Sequence, residues 1–461
     1  MSSLNNEQLA ALDILNSGVN VFLTGNAGTG KSYLLDYYLN NECNNKNVMV
    51  CAPTGIAALN IGGVTLHRAF RLPSGPIVNN TVVYCSDEVL EADILIIDEI
   101  SMCRVDMFDY ISRVLDFKKR EYNKDTQVII VGDFFQLPPV IQDKDREALK
   151  KVYNNITEGY CFESQFWSQY DFKNIILTQV MRQDNVEFKT NLDKARIADT
   201  SCISYFNRAM SHQRKGVILT ATNKRAQTLN ADCLNKLDAK EHVFTASISG
   251  DIDEFPTEKE LKLKVGARIM CIANDNESDE YVNGSLGTIT KIYSDSIRVL
   301  LDSGVYTTIT EHDFDYYDYE VSIEYKNNIE IKKLNKVVSG TFRQLPIKLA
   351  YAITIHKSQG QTYDNVIVEP YSFAPGQLYV ALSRCKTFEG MSLASSISSD
   401  YLKASSKILK FYNILKFTEE DKIKILDCTK NLIDSIDDSV NNLSYTMKKA
   451  LYELYIIYNR R

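Results

Sequence analysis

Residues 19–32 read Val19-Asn-Val-Phe-Leu-Thr-Gly-Asn-Ala-Gly-Thr-Gly-Lys-Ser32 and join an apolar run to a glycine-rich turn. The turn has the pattern G-x-x-x-x-G-K-S, and residues 32–39 after it favour a helix. A turn between a strand and a helix directs backbone N–H groups at phosphates, with the lysine on the β- and γ-phosphates and the serine hydroxyl on Mg²⁺. The sequence therefore predicts a phosphate-binding loop made of Gly25, Asn26, Ala27, Gly28, Thr29, Gly30, Lys31 and Ser32.

Further apolar runs follow at regular intervals along the first part of the chain. Residues 48–52, 94–97 and 128–131 are β-rich, and each run ends at a proline, an aspartate or a glycine. Such strands, buried on both faces and separated by helices, predict a parallel α/β sheet. Similar runs at residues 217–220 and 366–369 predict a second α/β unit.

Two regions differ from the α/β units in amino-acid composition and pattern. Residues 269–340 alternate short β-rich pieces with Gly, Asn and Asp turns, which predicts a small all-β module inserted into the second unit. Residues 401–461 contain neither Pro nor Gly and favour helix. We expect a first domain over residues 1–180, a second over residues 181–400, and a helical C-terminal extension over residues 401–461.

Two strand ends carry polar side chains suited to nucleotide hydrolysis. Leu95-Ile-Ile-Asp98-Glu99 ends in adjacent carboxylates, which predicts Asp98 on the metal side and Glu99 as general base. Gln136 follows the next strand, where an amide can contact a γ-phosphate. The guanine-reading pattern N-K-x-D is missing, because Asn223-Lys224 continues as Arg-Ala. We therefore expect ATP and Mg²⁺ as cofactors.

Charge and cysteine placement narrow the class of protein. The net charge is −7, but residues 241–330 alone hold 19 acidic and 7 basic side chains. The rest of the chain is therefore mildly basic, which is compatible with a nucleic-acid surface there. We expect the acidic outer face of the β module to point to solvent.

The ten cysteines include no C-x-x-C, which argues against zinc ribbons and iron–sulfur clusters. No apolar run approaches the ~20 residues of a membrane helix, and no secretory signal is readable.

Several segments in a fixed order make the chain resemble superfamily-one helicases, specifically the petite-integration-frequency (PIF) type of DNA helicase. Besides the phosphate-binding loop, they are Asn6-Glu-Gln8, Ala52-Pro-Thr-Gly-Ile-Ala-Ala-Leu-Asn-Ile-Gly-Gly63, Asp98-Glu-Ile-Ser-Met102, Gly132-Asp-Phe-Phe-Gln-Leu-Pro-Pro139, Leu349-Ala-Tyr-Ala-Ile-Thr-Ile-His-Lys-Ser-Gln-Gly-Gln-Thr362 and Tyr379-Val-Ala-Leu-Ser-Arg384. The family's own signature matches Leu177-Thr-Gln-Val-Met-Arg182-Gln183, where Gln179 and Met181 replace the usual Glu and Phe.

The resemblance implies roles for individual residues. Gln8 reads the adenine edge, Gly360 approaches the nucleotide, and Arg182 and Arg384 reach the γ-phosphate from the second domain. The residues implied to contact single-stranded DNA are Pro53, Thr54, Gly55, His67, His356, Lys357, Ser358 and Tyr379. Tyr379 also fits a second interpretation, as a core aromatic side chain.

The resemblance also implies the architecture and the activity. It implies two RecA-like P-loop domains, a small wedge-type insertion at residues 71–89 in the first, and an SH3-like insertion at residues 269–340 in the second. The implied activity is ATP-dependent 5′-to-3′ unwinding, acting on single-stranded DNA and single/double-strand junctions in replication, repair, recombination or telomere maintenance. We expect a monomer and a cytoplasmic, compact bacterial or viral form, since Asn6-Glu-Gln8 lies so near the start.

Other functions stay open at this point. One is a DNA-stimulated ATPase or translocase that remodels protein–DNA complexes and unwinds little. Another is a non-catalytic, nucleotide-gated module that binds single strands, although intact Lys31, Asp98, Glu99 and Arg384 argue against it. An RNA substrate is the third, because contacts that follow a backbone discriminate the 2′-OH poorly.

Overall fold

The structure is a computed structural model. It describes residues 4–415 except 44–45, 74, 78–80, 154–155, 157, 180–184, 251, 253–254, 276–279 and 327–328. The chain divides into two compact units, Met1–Ser405 and Ser406–Arg461. Of the second unit only the helix Ser406–Leu415 is described, so the rest of the expected helical extension lies outside the described residues. Within the described part, no helix has the length and apolar character needed to span a membrane.

The α-helices are α1 (Asn6–Asn16), α2 (Lys31–Asn41), α3 (Gly55–Asn60), α4 (Leu66–Ala69), α5 (Asp87–Glu91), α6 (Val105–Tyr122), α7 (Asp143–Val152), α8 (Val186–Arg196), α9 (Ile203–Asn207), α10 (Asn223–Asn235), α11 (Gln377–Leu382) and α12 (Ser406–Leu415). Two short 3₁₀ turns, Ile100–Met102 and His356–Ser358, lie next to the site described below.

The strands are β1 (Val21–Gly25), β2 (Val48–Ala52), β3 (Val64–Thr65), β4 (Ile94–Ile97), β5 (Gln127–Val131), β6 (Lys173–Leu177), β7 (Val217–Thr220), β8 (His242–Thr245), β9 (Ser247–Gly250), β10 (Glu260–Leu263), β11 (Arg268–Cys271), β12 (Leu286–Ile292), β13 (Ser296–Leu301), β14 (Tyr306–Thr310), β15 (His312–Lys326), β16 (Ile329–Gln344), β17 (Ile347–Leu349), β18 (Ala352–Thr354), β19 (Val366–Val368) and β20 (Met391–Leu393).

The first sheet is entirely parallel, in the order β3-β2-β4-β5-β1-β6. Its strands β1 and β4 are fully buried, as expected for a sheet covered on both faces, whereas the edge strand β6 begins with two exposed polar residues. Leu15 of α1 and Leu34 and Tyr38 of α2 pack on one face, and each is at most 1% exposed. The carboxyl ends of β1, β4 and β5 therefore meet at one edge and bring three polar turns together.

The second sheet is also parallel, in the order β18-β7-β19-β20. Its first strand in sequence, β7, pairs on both sides with strands that come more than a hundred residues later. The predicted fold class is confirmed: two parallel α/β sheets, with an all-β module in the interval between β7 and β18. The exact domain bounds given above stay predictions.

The all-β module has three sheets, one of which is the antiparallel pair β8–β10. An antiparallel sheet runs in the order β14-β13-β12-β11-β17 around a core that includes Ile269, Val299 and Ile347. A long hairpin, β15–β16, is separate from that sheet and pairs with β9 instead. The predicted interval of residues 269–340 thus omits β8, β9, β10 and β17, which the module also uses.

The hairpin contacts the first domain. Arg68 Nε of α4 donates to Asp318 Oδ2 of β15 at 3.2 Å. Asp318, whose side chain is 42% exposed, is thus an acid of the module that also pairs with a cation of the first domain.

The described part of residues 71–89 lies along α6. Asp106 of α6 accepts the Ile77 N–H at 2.8 Å, and Tyr110 Oη accepts the Tyr84 N–H at 3.3 Å. Its proposed role as a wedge stays a prediction.

Candidate functional site

The phosphate-binding loop joins β1 to α2 as predicted. Gly30 precedes α2 with φ 80°, a left-handed conformation that glycine adopts at low cost. Lys31 Nζ donates to the carbonyls of Gly25 at 2.9 Å and Asn26 at 3.1 Å, so its ammonium bridges the loop's own backbone. Burial lowers the pKa of Lys31, while the nearby carboxylates of Asp133, Glu99 and Asp98 act in the opposite direction.

Gln8 lies against this loop. Its Oε1 accepts the Asn5 N–H at 3.1 Å in a capping box, which fixes the side chain at the start of α1. Its Nε2 donates to the Gly30 carbonyl at 3.3 Å. A β-carbon on Gly30 would lie 2.6 Å from Gln8 Nε2, so only glycine permits this approach.

The two acids at the end of β4 stand in different surroundings. Asp98 Oδ1 accepts the Glu99 N–H at 2.8 Å. Burial, and then the charge of Glu99, raise the pKa of Asp98 to about 7. Burial also raises the pKa of Glu99, against the opposing effects of Lys31 and of a hydrogen bond from Gln359. Low dielectric at this edge therefore favours binding of a cation or a cationic side chain.

The second domain reaches the same acids. Gln359 Nε2 donates to Glu99 Oε2 at 2.8 Å, and its buried Oε1 has no hydrogen-bond partner among the residues that the structure describes. Tyr379 Oη accepts the Ala27 N–H of the phosphate-binding loop at 3.2 Å. These two contacts link sequence segments more than 250 residues apart at one place.

Arg384 is 1% exposed and is held by its own domain. Its Nε donates to the Val380 carbonyl at 2.8 Å, and Nη1 donates to the carbonyls of Gln361 at 3.2 Å and Ser358 at 3.4 Å. Burial lowers the pKa of Arg384, and Tyr379 and Glu99 counter it. The guanidinium thus brings a fixed positive charge to the site.

These groups surround a cavity of about 340 Å³. Its lining includes Ala27, Gly28, Gly30, Lys31, Ser32, Asp98, Glu99, Gln136, Gly360 and Arg384. The Asp98 carboxylate and the Ser32 hydroxyl share this lining, and such hard oxygen ligands fit Mg²⁺. The structure therefore brings most of the predicted nucleotide residues together. Arg182 lies outside the described residues.

The predicted DNA contacts fall into two groups. His67 and Lys357 are exposed, and Pro53, Thr54 and His356 are partly exposed. Thr54 Oγ1 accepts the Ala57 N–H at 3.3 Å, so it caps α3.

Other members of the predicted DNA set are enclosed. Gly55 is buried. Ser358 is fully buried and its hydroxyl donates to the Ile355 carbonyl at 2.8 Å, so a DNA contact through this hydroxyl is contradicted. Tyr379 is 3% exposed and its hydroxyl accepts from the nucleotide loop, which agrees with its second interpretation as a core aromatic side chain, and its contact with DNA stays a prediction.

Helix α8 supplies two contacts that the sequence analysis missed. Arg196 donates to both oxygens of Asp133, with Nη2–Oδ1 at 2.8 Å and Nε–Oδ2 at 3.3 Å, and stacks over Phe135 at 4.0 Å. Asp193 Oδ1 accepts from Asn26 Nδ2 at 2.5 Å. Asp133 was visible in the quoted motif, but nothing in the sequence pairs it with a charge 63 residues away.

Three family models match: PIF1-like helicase over residues 3–223, the 2B domain of DNA helicase Pif1 over residues 251–292, and the UvrD-like helicase C-terminal domain over residues 349–387. The ATP-dependent DNA helicase Pif1 of Campylobacter jejuni is 30% identical, over 87% of this chain and 96% of that protein. The chain belongs to the PIF1-like helicases. It spans 64% of the length of the rat relative, ATP-dependent DNA helicase PIF1.

Solved structures of relatives share the fold over most of the chain. Bacteroides Pif1 in complex with ADP-AlF4 has a TM-score of 0.79 at 32% identity, covering 90% of this chain and 98% of that one. Bacteroides Pif1 bound to ssDNA has a TM-score of 0.64 at 33% identity, covering 90% and 97%. Unliganded Bacteroides Pif1 matches about as well as the nucleotide complex, with a TM-score of 0.77 at 32% identity, covering 91% and 98%.

Proposed function

We propose that this PIF1-like helicase, an ATP-dependent DNA helicase by its family, hydrolyses ATP in the cavity between its two α/β domains and moves 5′ to 3′ along one strand. The observation that carries the proposal is the hydrogen bond from Gln359 to Glu99. Gln359 directly follows the turn His356–Ser358, and the exposed Lys357 of that turn is proposed to contact a phosphate of the DNA. In this proposal, a movement of the turn on binding DNA reaches the general base, Glu99, through the side chain of Gln359.

In the proposed mechanism the nucleotide replaces contacts that the loop makes with itself. Lys31 leaves the carbonyls of Gly25 and Asn26 for the β- and γ-phosphates, and the α2 N-terminus adds its partial positive charge. Gln8 reads the adenine edge from its fixed position beside Gly30. Mg²⁺, held by Ser32 and Asp98, supplies electrostatic stabilisation of the phosphate oxygens when bound.

Hydrolysis then depends on residues from both domains. Glu99 accepts a proton from the attacking water, and the Lys31 and Arg384 charges act on its pKa against the burial that raises it. Gln136 lines the cavity where it can contact the γ-phosphate. Arg384 supports the charge that spreads over the phosphate oxygens, and Arg182 is proposed as a second arginine with this role.

The DNA path is proposed to run past Pro53–Gly55, His67 and the turn His356–Ser358. Thr54 and Lys357 offer partly or fully exposed groups there. Such contacts hold phosphates without reading sequence. We further propose the domain bounds given above, a monomer, and a cytoplasmic location, which fits the free thiols of the cysteines in the described residues.

The test is unwinding of 5′-tailed and 3′-tailed duplexes with ATP, beside ATPase activity with and without single strands. We expect unwinding of the 5′-tailed substrate only and stimulation of ATPase by single strands. Stimulated ATPase without unwinding of either substrate would favour the remodelling translocase. Unwinding of the 3′-tailed substrate alone would contradict the polarity.

A further inference from the structure

The loop after β5 places Gln136 through a short turn. Residues 133–136 form a β-turn in which the Gln136 N–H donates to the Asp133 carbonyl at 2.9 Å. The Asp133 side chain is fully buried, and its Oδ1 accepts the Phe135 N–H at 3.1 Å. Gln136 is 6% exposed and lies in the lining of the nucleotide cavity. The position of Gln136 therefore depends on how the Asp133 carboxylate is held.

Arg196, the last residue of α8, holds that carboxylate. Its Nη2 donates to Asp133 Oδ1 at 2.8 Å and its Nε donates to Oδ2 at 3.3 Å. The Cζ atom of the same guanidinium lies 4.0 Å from the centre of the Phe135 ring. A planar fork bound to both carboxylate oxygens fixes orientation as well as distance, which a point charge does not do. Arg196 thus holds the turn at residues 133–136 by a side chain and by a ring.

The second domain holds this turn at two points. Helix α8 packs with the second sheet, since the fully buried Phe188 has its ring 6.2 Å from that of Phe388, just before β20. Gly376, at the start of α11, approaches the turn from another direction. A β-carbon on Gly376 would lie 2.3 Å from the carbonyl oxygens of both Phe135 and Gln136, so the approach requires glycine. A residue of the nucleotide cavity in the first domain is therefore held in place from the second.

We propose that Arg196 is a positioning residue for ATP hydrolysis, which fixes the turn that carries Gln136 by holding Asp133. The proposal rests on the proposed function, since it takes Gln136 to contact the γ-phosphate. Arg196 lies outside the lining of the nucleotide cavity, so it acts on the reaction through the turn and not by contact with the nucleotide. Gln136 is then in its active position only while α8 is seated on the turn.

The test measures single-strand-stimulated ATPase for Arg196→Lys and for the parent. Burial lowers the pKa of Lys31, and the charge of Arg196 adds to this effect. Lysine keeps that charge but lacks the fork, so the variant isolates the geometry of the contact. We expect kcat to fall about tenfold while KM for ATP stays within about twofold, because one group is misplaced and nucleotide binding is not.

Arg208→Lys is the matched control. Arg208 Nη2 donates to Glu187 of the same helix α8 at 3.0 Å, but both side chains of this pair are more than half exposed. The control should change neither kcat nor KM.

A double variant tests the route through Gln136. Gln136→Ala alone should lower kcat by about 10²-fold. Adding Arg196→Lys to it should cost less than about twofold more, because residues that act as a unit are not additive. Losses that multiply would show that Arg196 acts elsewhere and would overturn the proposal. An unchanged kcat for Arg196→Lys, or a rise in KM as large as the fall in kcat, would overturn it too.

A second variant keeps the test decisive if Arg196→Lys impairs folding, which ADP affinity reports for each variant. Asp133→Asn keeps an acceptor for the Phe135 N–H and removes the charge that Arg196 holds. It should lower kcat about as much as Arg196→Lys, and the two together should cost no more than either alone. If Asp133→Asn leaves kcat unchanged, the role of Arg196 is wrong and the proposed function stands. If Gln136→Ala keeps the parent's turnover, the proposed γ-phosphate contact fails and the inference fails with it.

Discussion

Glu99 has a left-handed backbone, with φ 49° and ψ 43°, at the end of a buried strand. For a residue with a side chain this conformation costs about 1–3 kcal/mol and persists only where the surroundings enforce it. Here the turn Ile100–Met102 begins directly after it, and the Asp98 carboxylate accepts its N–H. The strained backbone aims the carboxylate at Gln359 and at the cavity.

Glu99→Gln should keep nucleotide affinity and lose turnover by ~10²-fold or more, since a positioned base is removed while the shape is kept. Nucleotide affinity and steady-state ATPase, measured side by side, check this. Turnover near that of the parent would remove Glu99 from the mechanism.

Lys118 shows how a buried cation can serve the fold instead of a ligand. It is 1% exposed, and its Nζ donates to the Ala92 carbonyl at 2.6 Å, to Thr126 Oγ1 at 2.7 Å and to the Val89 carbonyl at 3.0 Å. Burial nevertheless lowers its pKa to about 8, from 10.5. The unfolded chain therefore binds the proton more tightly than the folded one.

The lowered pKa of Lys118 makes the free energy of unfolding depend on pH. Below pH 8 both states are protonated and the contribution of Lys118 is constant, whereas between about pH 8 and 10.5 only the unfolded state keeps the proton. Stability of the parent relative to Lys118→Met should therefore rise with pH across that window, by up to ~3 kcal/mol. Urea unfolding followed through the single tryptophan, Trp167, which packs on Phe22 in the first domain, measures it. A flat difference would contradict the lowered pKa of Lys118.

At the scale of elements, Gln359 follows the turn His356–Ser358 and Glu99 lies just after the strand β4. The side chain of Gln359 donates to that of Glu99 and so connects the two elements. The Gln359 N–H bond favours the charged form of Glu99, so its loss should raise the pKa of Glu99. A base is active when charged, so the acidic limb of the turnover profile moves with that pKa.

Gln359→Ala should lower DNA-stimulated turnover by about tenfold and shift the acidic limb of the ATPase profile to higher pH. The pH profile with saturating single strands tests both. Turnover that falls with an unmoved acidic limb would mean that Gln359 acts only through packing.

Within the second domain, the side chain of Arg384 likewise connects separate segments of the chain. Because its guanidinium donates to three backbone carbonyls, Arg384→Ala should lose turnover by ~10²-fold or more and also weaken the fold of the second domain. Arg384→Lys keeps the charge but cannot reproduce the planar fork, so it should recover little.

Stopped-flow translocation, ATPase and thermal unfolding separate the two effects for both variants. If Arg384→Ala translocates at a rate near the parent's, Arg384 is not the arginine that supports the charge on the phosphate oxygens. Arg182 then becomes the candidate for that role.

The sequence predicted some elements with their observed bounds and missed others for a physical reason. The strands Val48–Ala52, Ile94–Ile97 and Val217–Thr220 are uninterrupted apolar runs with polar ends, so their limits are local. The hairpin β15–β16 alternates acidic, aromatic and basic residues and has no such limits. Likewise the roles of Tyr379 and Ser358 depended on which groups surround them, and burial is set by distant segments.

At the scale of the whole molecule, the hairpin ties the β module to the first domain through Arg68 and Asp318. Their side chains are 23% and 42% exposed, so the ion pair is partly screened by solvent.

Arg68→Ala and Asp318→Ala should each destabilise the chain by about 0.5–1 kcal/mol, and the double variant by no more than the larger single effect. Urea unfolding at low salt measures the cycle, with Arg343→Ala as control, because the Arg343–Glu311 pair lies outside this contact. Fully additive losses would show that the two side chains act independently.

The parallel pairing of β7 has a consequence for synthesis on the ribosome. The first sheet is complete once Leu177 has emerged, whereas β7 emerges long before either of its neighbours, β18 and β19. At 5–20 residues per second, the apolar strand Val217–Thr220 waits on the order of ten seconds with both edges unpaired. Unpaired apolar edges are templates for association with other chains. The nascent protein is therefore most exposed to aggregation while its β module is being made, after one nucleotide-binding half has already folded.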